Sequence, residues 1–116
     1  MPVIAQATGT QTATVTTEHV LADVAVTGVF QLIVDTVNLA DGDVLELRVY
    51  QIVLTGGTGR VVLQGLFYGA QPTTDLIKTS VPVVNDLTDS QSLRFTLTQA
   101  FGSSRSFPWK VVKVAS

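Results

Sequence analysis

The chain has 116 residues, of which 46% are hydrophobic and only 14% are charged, and its formal net charge is -2. This length suits a single domain, and the near-neutral charge excludes the basic surface that nucleic acids and anionic membranes attract. Cysteine is absent, which excludes disulfides, thiol catalysis and thiolate metal sites. No run approaches the ~20 apolar residues that a membrane-spanning helix needs.

The first residues of the chain differ in composition from the rest. Residues 1–12 carry no charged side chain and are rich in Ala, Thr, Gln and Gly. We predict an extended N-terminal arm over residues 1–12 and a single β-sandwich domain over residues 13–116. The arm would dock on a neighbouring molecule or pair within a sheet, with Val3 and Ile4 filling apolar pockets. It lacks the basic and apolar regions of a signal peptide, so we expect synthesis in the cytoplasm.

Three strands and a turn are predicted in the following part of the chain. Residues 13–17 are Thr-rich and fit an exposed strand. In residues 20–26 the apolar side chains fall on one face, which places Val20, Ala22, Val24 and Val26 together. Residues 29–35 are nearly continuous in apolar character, as in a strand covered on both sides. Asn and Asp in residues 38–43 indicate a turn.

Residues 44–69 predict a long β-hairpin that closes through the Gly-rich residues 55–59. A two-residue loop would leave neither face of the hairpin apolar, so we favour a loop with an odd number of residues. Leu47 then lies opposite Phe67, and Val49 lies opposite Gly65. The inward face contains Val49, Val53, Leu63 and Phe67, and the outward face contains Glu46, Arg48, Tyr50, Arg60, Gln64 and Tyr68.

The C-terminal third predicts three more strands. Pro82 cannot donate to a ladder, so the strand over residues 76–84 is expected at an edge or with a bulge. Residues 93–98 alternate cleanly, as in a half-buried strand. For the last strand, residues 107–114, the sequence leaves open which side chains face the core. Because no segment has a helical period and about eight strands follow one another, we predict an all-β, two-sheet antiparallel β-sandwich or jelly roll.

No group of residues predicts catalysis, a cofactor or a metal. His19 has no serine-containing catalytic motif to accompany it. Asp41, Asp43 and Glu46 have carboxylates at calcium-like spacing, but a turn that opens a strand explains them. The Gly-rich loop lacks the spacing and the following helix of a phosphate loop. An aromatic sugar-binding face stays open as an alternative, formed by Tyr50, Phe67, Tyr68, Phe107 and Trp109.

Three sequence motifs carry a resemblance to a known family. They are a GDVxELR strand over residues 42–48, a Gly-rich turn ending in Arg over residues 56–60, and an RxFxWK strand over residues 105–110. Over residues 20–114 the chain resembles small virion structural proteins of tailed bacteriophages. The motifs are structural and carry no catalytic signature.

The resemblance implies a non-enzymatic capsid decoration (cement) protein on the capsid surface of the virion. Its partners would be the major capsid protein and further copies of itself, a trimer being one such homo-oligomer, with neither nucleic acid nor membrane bound. A tail or neck component and a carbohydrate-binding attachment module are alternatives, and an unrecognised hydrolase is a fourth hypothesis. Arg48, Tyr50 and Tyr68 on the outward hairpin face, with Val3 and Ile4 of the arm, are the candidate interface residues, because Arg and Tyr are common interface anchors.

Overall fold

A computed structural model describes residues 4–89 and 92–115 as a β-sandwich of two antiparallel sheets. The prediction of an all-β, two-sheet antiparallel fold is confirmed, and none of the described residues is helical or forms a membrane-spanning helix. The strands are β1 (Ile4–Thr12), β2 (Glu18–Val24), β3 (Gly28–Asp35), β4 (Val44–Gln51), β5 (Arg60–Tyr68), β6 (Ile77–Thr79), β7 (Val83–Asn85), β8 (Leu93–Phe101) and β9 (Ser106–Ala115).

The first sheet has the strand order β1-β9-β3-β6, with β7 also paired to β3, and the second sheet has the order β2-β8-β4-β5. Each sheet turns one face to the other, and apolar side chains from these two faces form the core. The largest fully buried side chains come mainly from the central strands and include Phe30, Leu32, Leu45, Phe95, Leu97 and Phe107. The alternation predicted for β8 is thus observed. In β3, which was predicted to be covered on both sides, only one face is buried, and Val29, Gln31 and Ile33 on the other face are half-buried.

Residues 4–12 of the predicted arm form β1, which pairs with β9 of the same chain from Ile4 opposite Lys113 to Thr12 opposite Ser106. They are therefore an edge strand of the first sheet, which corresponds to the in-sheet alternative for this segment. Val3 lies outside the described residues.

Over residues 44–49 and 63–68 the β4–β5 hairpin has the predicted faces but not the predicted pairing. Arg60 departs from the predicted outward face, because it lies opposite Gln51 in the register of the inward odd-numbered residues of β4. Leu47 lies opposite Gly65 and Val49 opposite Leu63, two positions from the expected register. A bulge between Val49 and Tyr50 ends the regular ladder, and β4 stops at Gln51. The connection, residues 52–59, has eight residues, so it is longer than expected and its number of residues is even rather than odd. Val53 lies in this connection and is 79% exposed rather than buried.

Two N-terminal predictions are wrong for local reasons. Residues 13–17 form a turn, in which Thr17 N–H donates to the Thr14 carbonyl at 3.0 Å, instead of a strand. In β2 a bulge between Val20 and Ala22 inserts one residue, which changes the side chains that face the core. Leu21 is therefore buried, while Val20 is 46% exposed.

The strands predicted in the C-terminal third agree more closely with the structure. Pro82 separates β6 from β7, and these two short strands both pair with β3 at the edge of the first sheet. In β9 the structure shows which side chains face the core. Phe107 and Val111 are fully buried, and Trp109 is partly buried and packs against the core.

Candidate functional site

A polar cluster, the Glu18 cluster, lies on the outer face of the second sheet. It contains Glu18, Glu46, Arg48, Tyr50 and Thr96. The Tyr50 hydroxyl donates to Glu18 Oε2 at 2.6 Å, and the Thr96 hydroxyl donates to the same oxygen at 2.7 Å. Arg48 Nη2 lies 2.7 Å from Glu46 Oε1, and its Nη1 lies 3.7 Å from Glu18 Oε2.

The strand order produces this cluster. Strands β2, β8 and β4 are neighbours, and Glu18, Thr96 and Arg48 all take outward positions on them. Side chains at directly opposite or diagonal positions of adjacent strands are within reach of one another. Residues far apart in the sequence therefore meet on one surface.

The electrostatics of the cluster keep Glu18 ionised. Partial burial raises the pKa of Glu18, but hydrogen bonds from Tyr50 and Thr96 and the charges of Arg48 and Arg94 outweigh this and hold it below its ordinary value. The Tyr50 hydroxyl and the Glu46 carboxylate, against the effect of burial, raise the pKa of Arg48. A carboxylate held in this way is a poor general acid, because it gives up no proton near neutral pH.

Glu18→Gln should lower the stability of the domain in a pH-dependent way. A depressed carboxyl pKa stabilises the fold above the ordinary value of 4.5, and this contribution disappears as the pH falls through the folded-state pKa. In denaturant titrations the variant should be less stable than the parent at pH 7 and closer to it at pH 3. The effect should be small, because the Glu18 side chain is 35% exposed.

Asp86→Asn is the control for this pH series, because Asp86 is exposed. It should follow the parent at both pH values. An equal loss of stability for Glu18→Gln at pH 7 and pH 3 would mean that the side chain acts through packing and not through its charge.

A cleft of about 440 Å³ lies beside the Glu18 cluster. Glu18, Tyr50, Arg94 and Thr96 are among its lining residues on the sheet, and the β4–β5 connection supplies Ile52, Gly57 and Gly59. The connection is held over the sheet by two hydrogen bonds, from Ile52 N–H to the Ser92 carbonyl and from Gly56 N–H to Asp89 Oδ2. At Gly57 a Cβ would lie 2.9 Å from the Leu54 carbonyl oxygen, so this turn needs glycine.

The polar groups of the cleft are largely paired with one another. Arg94 Nε lies 2.7 Å from Asp23 Oδ1, and the Glu18 carboxylate accepts two hydroxyl hydrogen bonds. Side chains already paired in this way lose those bonds when they turn to a ligand. The cleft is therefore a polar surface whose hydrogen-bonding side chains are largely engaged with one another.

The residues considered for catalysis or metal binding do not come together. His19 follows Glu18 on β2 and points to the opposite face, where its Nε2 accepts the Thr14 N–H at 2.9 Å. Asp43 is buried against Arg105, whereas Glu46 belongs to the outer face. Within residues 4–89 and 92–115, no group of three or more His, Cys, Asp or Glu side chains could hold a metal ion.

The outer edge of the second sheet is apolar. β5 is its terminal strand and pairs only with β4 among the described strands. Several of its large side chains are at least 44% exposed, namely Val61, Val62, Leu66 and Tyr68. An exposed apolar edge of this length is a typical site of association with another chain.

The four candidate interface residues within the described part of the chain do not form one surface. Arg48 and Tyr50 lie together in the Glu18 cluster, whereas Tyr68 is about 20 Å away, because it pairs with Val44 at the far end of β4. Ile4 is 50% exposed on β1, in the other sheet.

Sequence reasoning missed Glu18, Thr96 and the edge residue Leu66. Leu66 could have been found, because it is apolar at a position that the hairpin alternation places among outward polar residues. Glu18 and Thr96 had no such signal, since their meeting depends on the pairing of β2 with β8.

The aromatic side chains considered for sugar binding are dispersed. Phe107 is fully buried in the core, and Phe67 packs against the core from β5. Trp109 belongs to the first sheet, where its indole ring lies over Gly9. Tyr50 and Tyr68 remain on the outer face of the second sheet, at opposite ends.

No protein-family model, curated protein sequence or solved structure matches the chain.

Proposed function

We propose that the protein is a non-enzymatic structural protein of a bacteriophage virion, which binds the head shell as a capsid decoration protein. Its role is to add contacts between shell subunits and so to stabilise the capsid. The major capsid protein is the proposed partner, and the surface of the head is the proposed location.

The observation that carries this proposal is the pair of long, nearly uncharged edge strands. β1 has nine residues with no charged side chain, and β5 has nine residues with Arg60 as its one charge. Soluble proteins that stay monomeric usually protect such edges with lysine, proline or very short strands. Edges without this protection suit a protein whose working state is an assembly.

Exposed apolar side chains elsewhere support the same function. Val53 and Leu54 at the β4–β5 connection are 79% and 74% exposed, and Phe101 at the end of β8 is 67% exposed. Stable interfaces place apolar and aromatic side chains at their centre. Several modest contacts of this kind on one lattice would add up through avidity.

The assignment to a virion rests on the sequence resemblance. Two of the resembling motifs contact each other, because Arg105 Nε of the last motif lies 2.9 Å from Asp43 Oδ2 of the first. These motif residues are therefore used to hold the sandwich together. They support a common fold with the virion proteins and leave the outer surfaces to bind the partner.

The experiment that tests the function is to locate the protein in purified particles of the phage that encodes it. Immunogold labelling with an antibody against the domain should mark the heads. Particles grown without the protein should rupture at a lower temperature, and added recombinant protein should restore the rupture temperature.

Label confined to the tail or neck would replace this proposal with the tail-component alternative. Absence of the protein from particles would overturn a structural role altogether. A glycan-array signal for the recombinant protein, combined with absence of head label, would favour an attachment module.

A further inference from the structure

The main-chain groups of β5 are arranged to receive another strand. Gly69 N–H donates to the Asp43 carbonyl at 2.8 Å, in the same register as the β4–β5 ladder. Hydrogen-bonded and non-hydrogen-bonded pairs alternate along an antiparallel ladder. The N–H and C=O groups of Gln64, Leu66 and Tyr68 therefore point away from β4, towards the free edge.

The other ladder of β4 agrees with this assignment. Ile52 N–H donates to the Ser92 carbonyl at 3.0 Å, in the register of the β4–β8 pair. Even-numbered residues of β4 thus bond to β8, and odd-numbered residues bond to β5. The residues of β5 opposite the even-numbered positions therefore turn their main-chain groups to the edge of the sheet, where no other described strand pairs with them.

We propose that β5 pairs with β5 of a second copy of this chain, antiparallel, about a two-fold axis at Leu66. The two second sheets then form one continuous sheet across the dimer. Leu66 faces Leu66 of the second copy, and Gln64 faces Tyr68 of the second copy. About six main-chain hydrogen bonds join the two edges, two for each hydrogen-bonded pair.

The side chains fit this register on both faces. On the outer face the two Leu66 side chains, each 44% exposed, bury one another at the axis. The Tyr68 ring, 68% exposed, lies over the Gln64 amide of the second copy. On the inner face Phe67 lies opposite Gly65 of the second copy, and within each chain the Phe67 ring already packs beside Gly65, 3.4 Å from where a Cβ would lie. A two-fold interface requires this kind of self-complementary surface.

The charges beside the edge allow two copies to approach. Residues 61–69 contain no charged residue. In β4 the nearest charges on the outer face, Glu46 and Arg48, neutralise each other at 2.7 Å within each copy. Like charges across an interface cost several kcal/mol, and this register brings none together.

The irregular parts of β5 lie outside the pairing. The bulge leaves Val62 as the extra residue, before the regular stretch of residues 63–68. At the other end the Tyr68 carbonyl accepts the Gln71 side-chain amide at 3.3 Å, which leaves its second lone pair for a ladder bond. A two-fold axis at Leu66 uses the regular stretch alone, whereas an axis at Gln64 would run the ladder through the bulge.

The test is sedimentation equilibrium of the full chain over a concentration series. The parent should show twice the chain mass of 12.3 kDa at high concentration. Leu66→Lys places two ammonium groups at the axis and should weaken association by at least about tenfold. Ile77→Lys is the matched control, because Ile77 is 51% exposed on β6 of the other sheet. It should dimerise like the parent, and circular dichroism should show both variants folded.

Cysteine cross-linking tests the register. The chain has no cysteine of its own. Directly opposite residues of a hydrogen-bonded antiparallel pair have Cα atoms about 5.5 Å apart, within disulfide range. Leu66→Cys should therefore form a covalent dimer on mild oxidation. Gln64→Cys should not, because the two copies of this residue lie about 13 Å apart along the strands.

Four results would overturn the proposal. The first three are a monomer at every concentration, a dimer that Leu66→Lys leaves unchanged, and cross-linking through Gln64→Cys but not through Leu66→Cys. The fourth is a larger assembly that persists in Leu66→Lys, which would point to pairing of β1 instead. The dimer does not depend on a virion function, since it is measured on the purified chain alone.

Discussion

Phe95→Ala should lower the free energy of unfolding by about 3–5 kcal/mol, because it removes a fully buried aromatic ring and leaves a cavity. Phe95 lies on β8, opposite Val49 of β4 and Ala22 of β2. Two neighbouring strands and the facing sheet therefore lose contacts together. Urea titration at pH 7 gives the change directly.

Phe101→Ala is the matched control, since it makes the same chemical change on the same strand. Phe101 is 67% exposed, so its loss should cost less than about 1 kcal/mol. Similar losses for the two variants would mean that the inward and outward positions of β8 have been assigned incorrectly.

Gly102→Ala should cost about 2–5 kcal/mol, in a different way from the loss of a core side chain. Gly102 has φ of +98, a backbone conformation that costs a residue with a Cβ about 1–2 kcal/mol. The added Cβ would also overlap Asp43 Oδ1 and lie 2.8 Å from Asp43 Cα. Such overpacking typically costs another 1–3 kcal/mol.

The clash matters because Asp43 organises the turn between β8 and β9. Its carboxylate accepts the Ser103 N–H at 3.2 Å and the Ala40 N–H at 3.0 Å, and it pairs with Arg105 at 2.9 Å. Burial raises the pKa of Asp43, but these hydrogen bonds and the Arg105 charge lower it below its ordinary value. A displaced Asp43 loses several of these contacts at once.

Gly42→Ala separates the strain from the clash. Gly42 has φ of +90, but a Cβ there would meet nothing within 4 Å. This variant should lose only the strain energy, about 1–2 kcal/mol. If it loses as much as Gly102→Ala in the same urea titration, contact with Asp43 is not the reason for the larger effect.

The alternation of apolar and polar residues was enough to predict the fold class. Leu93, Phe95 and Leu97 recur at every second position with polar residues between them, and all three are buried. A period of two allows one arrangement, a strand with one face against a core. Pro82 likewise acts through its own backbone, so its interruption of an edge strand could be predicted.

The details of pairing could not be predicted in this way. The bulges near Val20 in β2 and at Val62 in β5 each insert one residue, and nothing in the local pattern distinguishes an inserted residue from a paired one. The hairpin register was therefore predicted two positions away from the observed one. Val53 was placed in the core for the same reason, although it belongs to the long β4–β5 connection.

The sequence by itself determined a single apolar β domain and the inward and outward faces of its clearest strands, because these properties depend on residues that are neighbours in the chain. Only the tertiary structure decided that β5 became an edge and which polar side chains met. Glu18 and Thr96 are 78 positions apart and share a hydrogen bond because β2 pairs with β8. The exposed edge at β5 exists because the strand order of the second sheet ends there. Both depend on the free energy of the whole packed sandwich, which no local stretch of sequence contains.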